Sequence, residues 1–263
     1  MPLTVAHPAA AVVLARPLGR AGVLSALVVG SIVPDLHYFL PLPVSREATH
    51  SLPGLLWFCL PVGVLVYVSF HRALKQPLLG LLPTSWQERL SPLVYARPSL
   101  PAAPWWAVAV SILVGALSHV VWDALAHATG PVAELFPFLD TLLFTVAGYP
   151  VQVYRVVLHG SSLIGTLLLL RWSLHWMRRA EPAGSAPPRL SPTLRIVILA
   201  GLLGMASLVA LPQAQVPRRV NLRSLQNCVV SMVAPALAAF GSGVLLYCAA
   251  WHCFRAARRF ERP

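Results

Sequence analysis

Long apolar runs, separated by short segments rich in proline and basic residues, dominate the pattern of hydrophobic and polar positions along this chain. Five of them are candidate transmembrane helices, because about 20 consecutive apolar residues cross the hydrocarbon core of a bilayer. These runs lie near residues 52–70, 105–126, 161–176, 195–212 and 228–252. The pattern therefore predicts an all-α, polytopic transmembrane helical bundle.

Two shorter apolar stretches precede the first of these runs. Residues 8–16 are interrupted by proline and glycine, and residues 21–33 stop at Pro34. A helix over the second stretch measures only about 20 Å, whereas the hydrocarbon core is about 30 Å thick. Two interpretations stay open: a helical hairpin that enters half of the membrane, or a single crossing by the second stretch, extended through Leu40.

Proline and glycine also divide the rest of the chain. Residues 131–158 are apolar but interrupted, and we expect a re-entrant or interfacial segment there. We therefore predict five to six crossings with re-entrant or interfacial helices. The expected organisation is a membrane domain over residues 1–180, a linker at 181–192, and two further membrane helices with a basic tail over 193–263.

Composition favours a multi-pass membrane protein over a soluble domain. Of the 263 residues, 57% are hydrophobic and 11% are charged, whereas a soluble domain has about 25% charged residues. The net charge of +12 comes mostly from three basic blocks between or after the apolar runs. Such blocks are typical of topology signals and of contacts with anionic lipid headgroups. Nucleic-acid binding is not expected, because no basic face with interleaved aromatic residues lies outside the runs.

The three basic blocks also predict an orientation. They hold four, five and four Lys or Arg residues, within 72–97, 171–195 and 255–262, and an alternating count of crossings places all three on one side. The positive-inside rule makes that side cytoplasmic, although three arginines within 218–223 count against it. We expect a multi-pass protein of the bacterial inner membrane, with a cytoplasmic C-terminus and a cytoplasmic linker at 181–192.

Two polar clusters that are distant in sequence fall on the outer face in this topology. The loop after Pro34 carries Asp35 and His50, and the apolar run from Trp105 ends with His119, Asp123 and His127. The last three are four residues apart and so line one stripe of a helix. A carboxylate inside an apolar span is costly and is normally kept for a partner or a function.

Mixed imidazole and carboxylate side chains suit zinc, manganese or iron. His119 and Asp123 would offer two ligands from one helix, and His7 could join them if the N-terminal hairpin forms. Other interpretations of these residues remain open. His119 and Asp123 could form a local hydrogen-bonded pair or a proton relay, and Asp35 and His50 could serve as turn or helix-start residues.

Four short motifs sharpen this hypothesis. They are Ala6-His7-Pro8, Gly30-Ser31-Ile32-Val33-Pro34-Asp35, Thr49-His50-Ser51 and Ser118-His119-Val120-Val121-Trp122-Asp123. In this order they resemble a bacterial integral-membrane family, domain-of-unknown-function family 4184. That family is similar to the membrane-bound metal-dependent hydrolases of the LexA-regulated type. The resemblance covers about residues 1–176.

The resemblance implies a metal site. Its residues would be His7, Asp35, His50, His119 and Asp123. The hydrolase group usually has Pro-Asp-x-Asp, whereas His37 stands at the second acidic position here. This difference argues against a two-metal arrangement.

We therefore expect a membrane-embedded metal-dependent hydrolase that acts at the outer leaflet on a lipid or lipid-linked ester or phosphoester. The expected ligands of a divalent metal, zinc first and manganese or iron otherwise, are Asp35, His50, His119 and Asp123. His7 would be a fifth ligand or a base, and His127 would orient a ligand or shuttle protons. The expected partners are membrane lipids and a lipid-linked substrate. Two alternatives remain: a proton- or ion-coupled transporter, and a non-enzymatic assembly protein with a structural metal.

Overall fold

Helices make up almost all of the regular structure. The computed structural model describes residues 4–40, 42–95, 102–127, 131–146, 148–182, 190–214 and 222–260. The α-helices are α1 (Pro8–Leu14), α2 (Leu24–Gly30), α3 (Arg46–Thr49), α4 (Leu52–Leu81), α5 (Thr84–Val94), α6 (Trp105–His127), α7 (Pro131–Leu135), α8 (Val153–Arg179), α9 (Pro192–Ala210) and α10 (Leu222–Phe260). Shorter 3₁₀ turns lie at Thr4–Ala6, Gly19–Ala21, Val33–Tyr38, Pro137–Asp140 and Leu211–Gln213. One antiparallel hairpin joins β1 (Leu142–Val146) to β2 (Tyr149–Gln152).

Five helices are long and apolar enough to cross a membrane. They are α4, α6, α8, α9 with its following turn, and Asn227–Ala257 within α10. The predicted all-α, polytopic architecture is confirmed, with five helices of crossing length in the part of the chain that the structure describes. Most of the predicted linker, residues 183–189, lies outside the described residues.

The first of these helices continues farther than its apolar run predicts. The expected span ended near residue 70, but α4 extends to Leu81 through Pro77 and contains π-helical turns at Leu55–Cys59 and Phe70–Leu74. Proline has no backbone N–H, so Pro77 leaves the carbonyl of Ala73 without its helical donor. His252 of α10 approaches that oxygen with its Nε2 at 2.8 Å and replaces the missing donor. A contact distant in sequence thus sustains the helix.

The N-terminal stretches form a hairpin. Helices α1 and α2 pack against each other and against α6 as a hairpin, and α2 ends at Gly30 and does not continue as one helix through Leu40. At its tip, the Val23 N–H donates to the Ser111 hydroxyl at 2.9 Å, and that hydroxyl donates to the Ala21 carbonyl at 2.6 Å. Ser111 lies near the start of α6. The tip therefore lies toward the N-terminal end of α6. The base of the hairpin lies farther along α6, toward its C-terminal end.

Residues 131–158, expected to be re-entrant or interfacial, divide between several elements. They contain α7, a 3₁₀ turn, the β-hairpin and the first turns of α8, which begins at Val153 rather than at Ser161. Gly148 adopts a φ of 77° in the hairpin turn, a conformation that glycine allows without steric cost. The strand β1 exposes all five of its residues. This segment follows α6 and leads into α8 at the same end of the bundle.

Close packing between α2 and α6 fixes the base of the hairpin. A Cβ added at Gly30 would overlap the carbonyl of Ile112, and a Cβ at Gly115 would overlap the carbonyl of Leu27. Both obstacles are backbone atoms, which cannot move aside as a flexible side chain does. Small residues at helix interfaces in membranes allow such close approach. The two glycines therefore set the distance between the helix that leads to Asp35 and the helix that carries His119.

We expect Gly30→Ala and Gly115→Ala each to lower the free energy of unfolding by about 1–3 kcal/mol, because the added methyl overpacks the interface. Gly201→Ala on α9 is the matched control, since a Cβ there meets nothing within 4 Å. Thermal unfolding of the three variants in one detergent provides the measurement. Equal midpoints for Gly30→Ala and Gly201→Ala would contradict the packing described here.

Candidate metal centre

Four segments of the chain meet at one buried cluster. His7 immediately precedes α1, Asp35 lies in the 3₁₀ turn after α2, His50 follows α3, and α6 carries His119 and Asp123. These are the five residues that the family resemblance implied, and the structure brings all of them together. Four of the five are buried, and the side chain of His50 is only 9% exposed. Burial of so many ionisable groups in an apolar bundle indicates a specific role.

Local sequence signals place these residues. Pro8 stands at the first position of α1, where its missing N–H costs nothing, and Pro34 is the second residue of the 3₁₀ turn, still within its first turn. The hydroxyl of Ser45 caps α3 and that of Ser51 caps α4. His50 therefore lies in the short junction between two capped helices. The helix-start interpretation of the His50 segment thus holds for Ser51, which caps α4. Nδ1 of the His50 imidazole lies against the carbonyl of Arg46 in α3.

The distances within the cluster are those of neighbouring metal ligands. Nε2 of His50 lies 3.5 Å from Oδ1 of Asp35 and 3.6 Å from Oδ2 of Asp123, and Nε2 of His119 lies 3.7 Å from Oδ2 of Asp35. Hydrogen bonds of this type are usually about 2.7–3.2 Å long. Two ligands of a tetrahedral ion with bonds of about 2.0–2.2 Å are separated by about 3.3–3.6 Å. The observed separations match the second case better than the first.

Three imidazole nitrogens point into the cluster without a hydrogen-bond partner. They are the buried Nε2 atoms of His7, His50 and His119. Nδ1 of His119 lies 2.8 Å from the Ser31 carbonyl, and Nδ1 of His50 lies 3.0 Å from the Arg46 carbonyl. A carbonyl oxygen only accepts, so Nδ1 carries the proton in both rings and each Nε2 keeps its lone pair. This is the arrangement in which histidine binds metals.

The ligand atoms form two overlapping groups. One consists of His7, His119 and Asp123, the other of Asp35, His50 and His119, and within each group all ligand atoms lie within 4.8 Å of one another. His119 belongs to both, and its Nε2 has a single lone pair that binds a single cation. The geometry therefore suits one ion that draws its ligands from the five residues.

His37, which stands at the second acidic position of the hydrolase motif, does not belong to either group. Its Nδ1 donates to the carbonyl of Pro34 at 3.1 Å, and its ring contacts that of Tyr38. Burial lowers the pKa of His37. Its observed contacts are those of a residue that stabilises the 3₁₀ turn around Asp35.

Charge at the cluster is compatible with a bound cation. Burial, followed by the neighbouring imidazole of His119, lowers the pKa of His7 to about 4, so its ring is neutral at pH 7. Burial opposes ionisation of Asp35, but neighbouring His50 and His119 and the Thr4 hydroxyl outweigh it and lower the pKa of its carboxyl. A neutral imidazole and an ionised carboxylate are the forms that coordinate metals.

Two contacts at the cluster were not predicted from the sequence. The Arg46 guanidinium pairs with Oδ2 of Asp123, and the Thr4 hydroxyl donates to Oδ2 of Asp35 at 2.7 Å. The side chain of Arg46 is 30% exposed, so it stands at the open edge of the cluster. The one feature of the sequence that could have indicated Arg46 was its spacing. Arg46 lies four residues before His50, one helical turn away.

His127 contacts the cluster from outside. Its Nδ1 lies 3.1 Å from Oδ1 of Asp123 and 2.9 Å from the backbone oxygen of the same residue. Its side chain is 22% exposed, and it is absent from both ligand groups. This position fits the expectation that His127 orients Asp123.

The helical bundle and its buried His/Asp cluster together define a polytopic helical protein with a candidate metal centre. A family model described as domain of unknown function (DUF4184) matches residues 1–249, and the chain belongs to this family. The match continues beyond residue 176, the limit expected from the resemblance, and reaches into α10. No curated protein and no solved structure matches the chain.

We expect the purified protein to contain about one equivalent of divalent metal, because the cluster offers one set of ligands. His119→Ala should lose it, since both candidate groups include this residue. His175→Ala is the matched control, because that histidine is exposed and belongs to neither group. Elemental analysis after size-exclusion chromatography provides the measurement. Full metal content in His119→Ala would show that the ligands lie elsewhere.

Proposed function

We propose that this protein is a membrane-embedded metal-dependent hydrolase that cleaves an ester or phosphoester of a lipid or lipid-linked substrate at the outer leaflet. One observation carries the proposal. The buried Nε2 atoms of His7, His50 and His119 have no hydrogen-bond partner, and those of His50 and His119 lie 3.5–3.7 Å from carboxylate oxygens. A buried pair that served only to stabilise the fold would instead satisfy these atoms by hydrogen bonds.

The residues present fit a divalent cation. His7, Asp35, His50, His119 and Asp123 supply the nitrogen and oxygen donors that suit zinc, with manganese or iron as alternatives. Such a cation supplies Lewis acidity, which polarises an ester or phosphoryl oxygen and lowers the pKa of water. Catalytic zinc sites use about three protein ligands. The cluster of five exceeds that number, and in our proposal His7 is not a ligand but the base whose Nε2 accepts a proton from water.

Arg46 gives the site a preference for anionic substrates. Its guanidinium lies at the open edge of the cluster, where it pairs with Asp123. Guanidinium groups bind phosphate oxygens through two parallel hydrogen bonds and stabilise the charge that develops there. In our proposal, a substrate phosphoryl group replaces Asp123 as the partner of Arg46. This role favours a phosphoester over a carboxyl ester.

The depth of the cluster favours an enzyme over a transporter. On α6, Asp123 lies about 6 Å and His119 about 12 Å from the helix end at His127, at 1.5 Å per residue. Transporters instead place their coupling sites near the bilayer midplane, at the interface of structural repeats. A site near one interface is accessible to the headgroup region, where the ester and phosphoester bonds of lipids lie.

The basic residues support the outer leaflet. His252 and Arg255 of α10 contact Ala73 and Gln76 of α4, so the basic end of α4 and that of α10 meet. The cluster adjoins the opposite end of α4, beside His50. By the positive-inside rule the basic end is cytoplasmic. We accordingly propose a protein of the bacterial inner membrane, with a cytoplasmic C-terminus and an outward-facing site.

We expect the protein in liposomes to hydrolyse at least one member of a panel of lipid esters and phosphoesters. Chelation should remove the activity and zinc should restore it. Asp123→Asn should lower turnover by about a thousandfold, because a metal contributes several kcal/mol to the transition state. Asp140→Asn is the matched control, since that carboxylate is exposed on the segment between α6 and α8. Release of headgroup, phosphate or fatty acid is the readout.

Two results would contradict the proposal. Metal-loaded protein that hydrolyses nothing on the panel would favour the structural-metal alternative. Unchanged turnover in Asp123→Asn would remove this residue from the site.

We expect Arg46→Ala to lower kcat/KM for phosphoesters by about 10- to 100-fold, the usual contribution of a charged hydrogen bond of about 1.5–3 kcal/mol. Uncharged carboxyl esters should be affected much less, and the metal content should stay at the wild-type level. Arg89→Ala controls for loss of a positive charge, because Arg89 donates to the Ser85 carbonyl within α5, distant from the cluster. Equal losses on both substrate classes would show that Arg46 only orients Asp123.

A further inference from the structure

An apolar cavity of about 510 Å³ adjoins the candidate metal centre. It lies between α1, α6 and α8, and its volume falls in the usual range for ligand pockets, about 300–1,000 Å³. His7 is part of its wall. The other residues that the argument uses are Ala9, Ala10, Val13, Trp122, Ile164 and Leu168. One side chain thus belongs both to the wall of the cavity and to the His/Asp cluster.

The polar atoms of the wall are already satisfied. The hydroxyls of Ser161 and Ser162 donate to the carbonyl of Leu158, and the hydroxyl of Ser118 donates to that of Gly115. The indole N–H of Trp122 donates to the Ser161 hydroxyl. Among the wall residues, the unpartnered buried nitrogen is Nε2 of His7. The cavity is therefore suited to hydrocarbon along its length and has one polar end, at the metal centre.

The cavity also has the direction of a lipid chain. Its wall follows α1 from His7 to Leu14, a distance of about 10 Å at 1.5 Å per residue. On α8 it follows the helix from Ser161 to Leu168, away from the end that adjoins the cluster. It thus extends from the cluster toward the middle of the spans. The chain of an outer-leaflet lipid has this direction when the headgroup lies at the interface.

The cavity is open to the lipid phase. Val13, Ile164 and Leu168 are 64%, 60% and 51% exposed at its margin, so a chain could enter sideways from the bilayer. Small residues on the facing helices line the cavity and leave room for a chain, including Ala9 and Ala10 on α1 and Gly165 on α8. A free water-soluble ester would gain little there, since the wall offers no spare hydrogen-bonding group besides His7.

We propose that this cavity, between α1, α6 and α8, binds the hydrocarbon chain of a membrane lipid substrate and thereby holds its headgroup ester at the His/Asp cluster. The inference rests on the proposed function and adds the substrate class: a lipid with at least one long acyl or alkyl chain, taken from the outer leaflet. His7 lies between the two parts of the proposed binding site, the apolar cavity and the His/Asp cluster.

Photolabelling tests the chain site independently of catalysis. The probe is phosphatidylglycerol with a diazirine in one acyl chain, added to full-length protein in nanodiscs after chelation, so that turnover does not contribute. We expect the label to concentrate on residues 4–15 and 161–179. Ala10→Phe should reduce this label about tenfold, because its ring displaces about two buried methylene groups. Ala200→Phe, the same substitution at an exposed position of α9, should leave it unchanged.

Val13→Trp provides a second occluding variant at an exposed position of the cavity margin, in case Ala10→Phe does not fold. An even distribution of label over the exposed faces of α8, α9 and α10 would overturn the proposal, as would undiminished label in both occluding variants. The experiments distinguish failure of the proposed hydrolase from failure of the proposed chain site. Absence of metal or of hydrolysis contradicts the enzyme without affecting the label, whereas hydrolysis of long-chain lipid by a protein without cavity label contradicts the chain site.

Discussion

Desolvation of ionisable side chains is the constraint on which this structure depends. Two carboxylates and three imidazoles lie together in a bundle whose buried residues are mainly apolar. Charged groups in such surroundings are stable only with hydrogen bonds, counter-charges or a metal. Arg46, Thr4 and His127 satisfy the carboxylates in part. The three imidazole Nε2 atoms have no protein partner among the residues described, and this is the observation behind the proposed metal centre.

The rest of the bundle positions these groups. Each of the five comes from a segment whose place is fixed by a backbone feature: a proline at the start of a helix or turn, a serine cap, or a glycine contact between α2 and α6. Each of these features requires only one or two residues. Together they hold the rings of His7 and His119, more than 100 residues apart in sequence, with their centroids 3.8 Å apart, and Nε2 of His119 lies 3.7 Å from Oδ2 of Asp35.

The long apolar runs of the sequence were sufficient to predict the spans, because such runs are strong local signals. The same runs drew attention to His119 and Asp123 as polar residues within a span, whereas the full set with His7, Asp35 and His50 was implied by the family resemblance. Other features depend on distant or ambiguous information. The β-hairpin was missed because Leu142-Leu143-Phe144-Thr145-Val146 lacks the alternation of a half-buried strand. Arg46 was missed because a charged residue in a predicted loop is ordinarily solvated. The continuation of α4 beyond Pro77 depends on a donor from α10 that no local pattern reveals.

That donor has a consequence for how the protein is made. Helix α4 leaves the ribosome before α10. Until α10 arrives, the Ala73 carbonyl must be hydrated by water or lipid headgroups, and the Tyr247 hydroxyl, which donates to the Pro77 carbonyl at 2.9 Å, is also missing. Insertion of α10 therefore completes the hydrogen bonding of α4. Two helices made at different times are joined at the basic end, where the bundle is farthest from its His/Asp cluster.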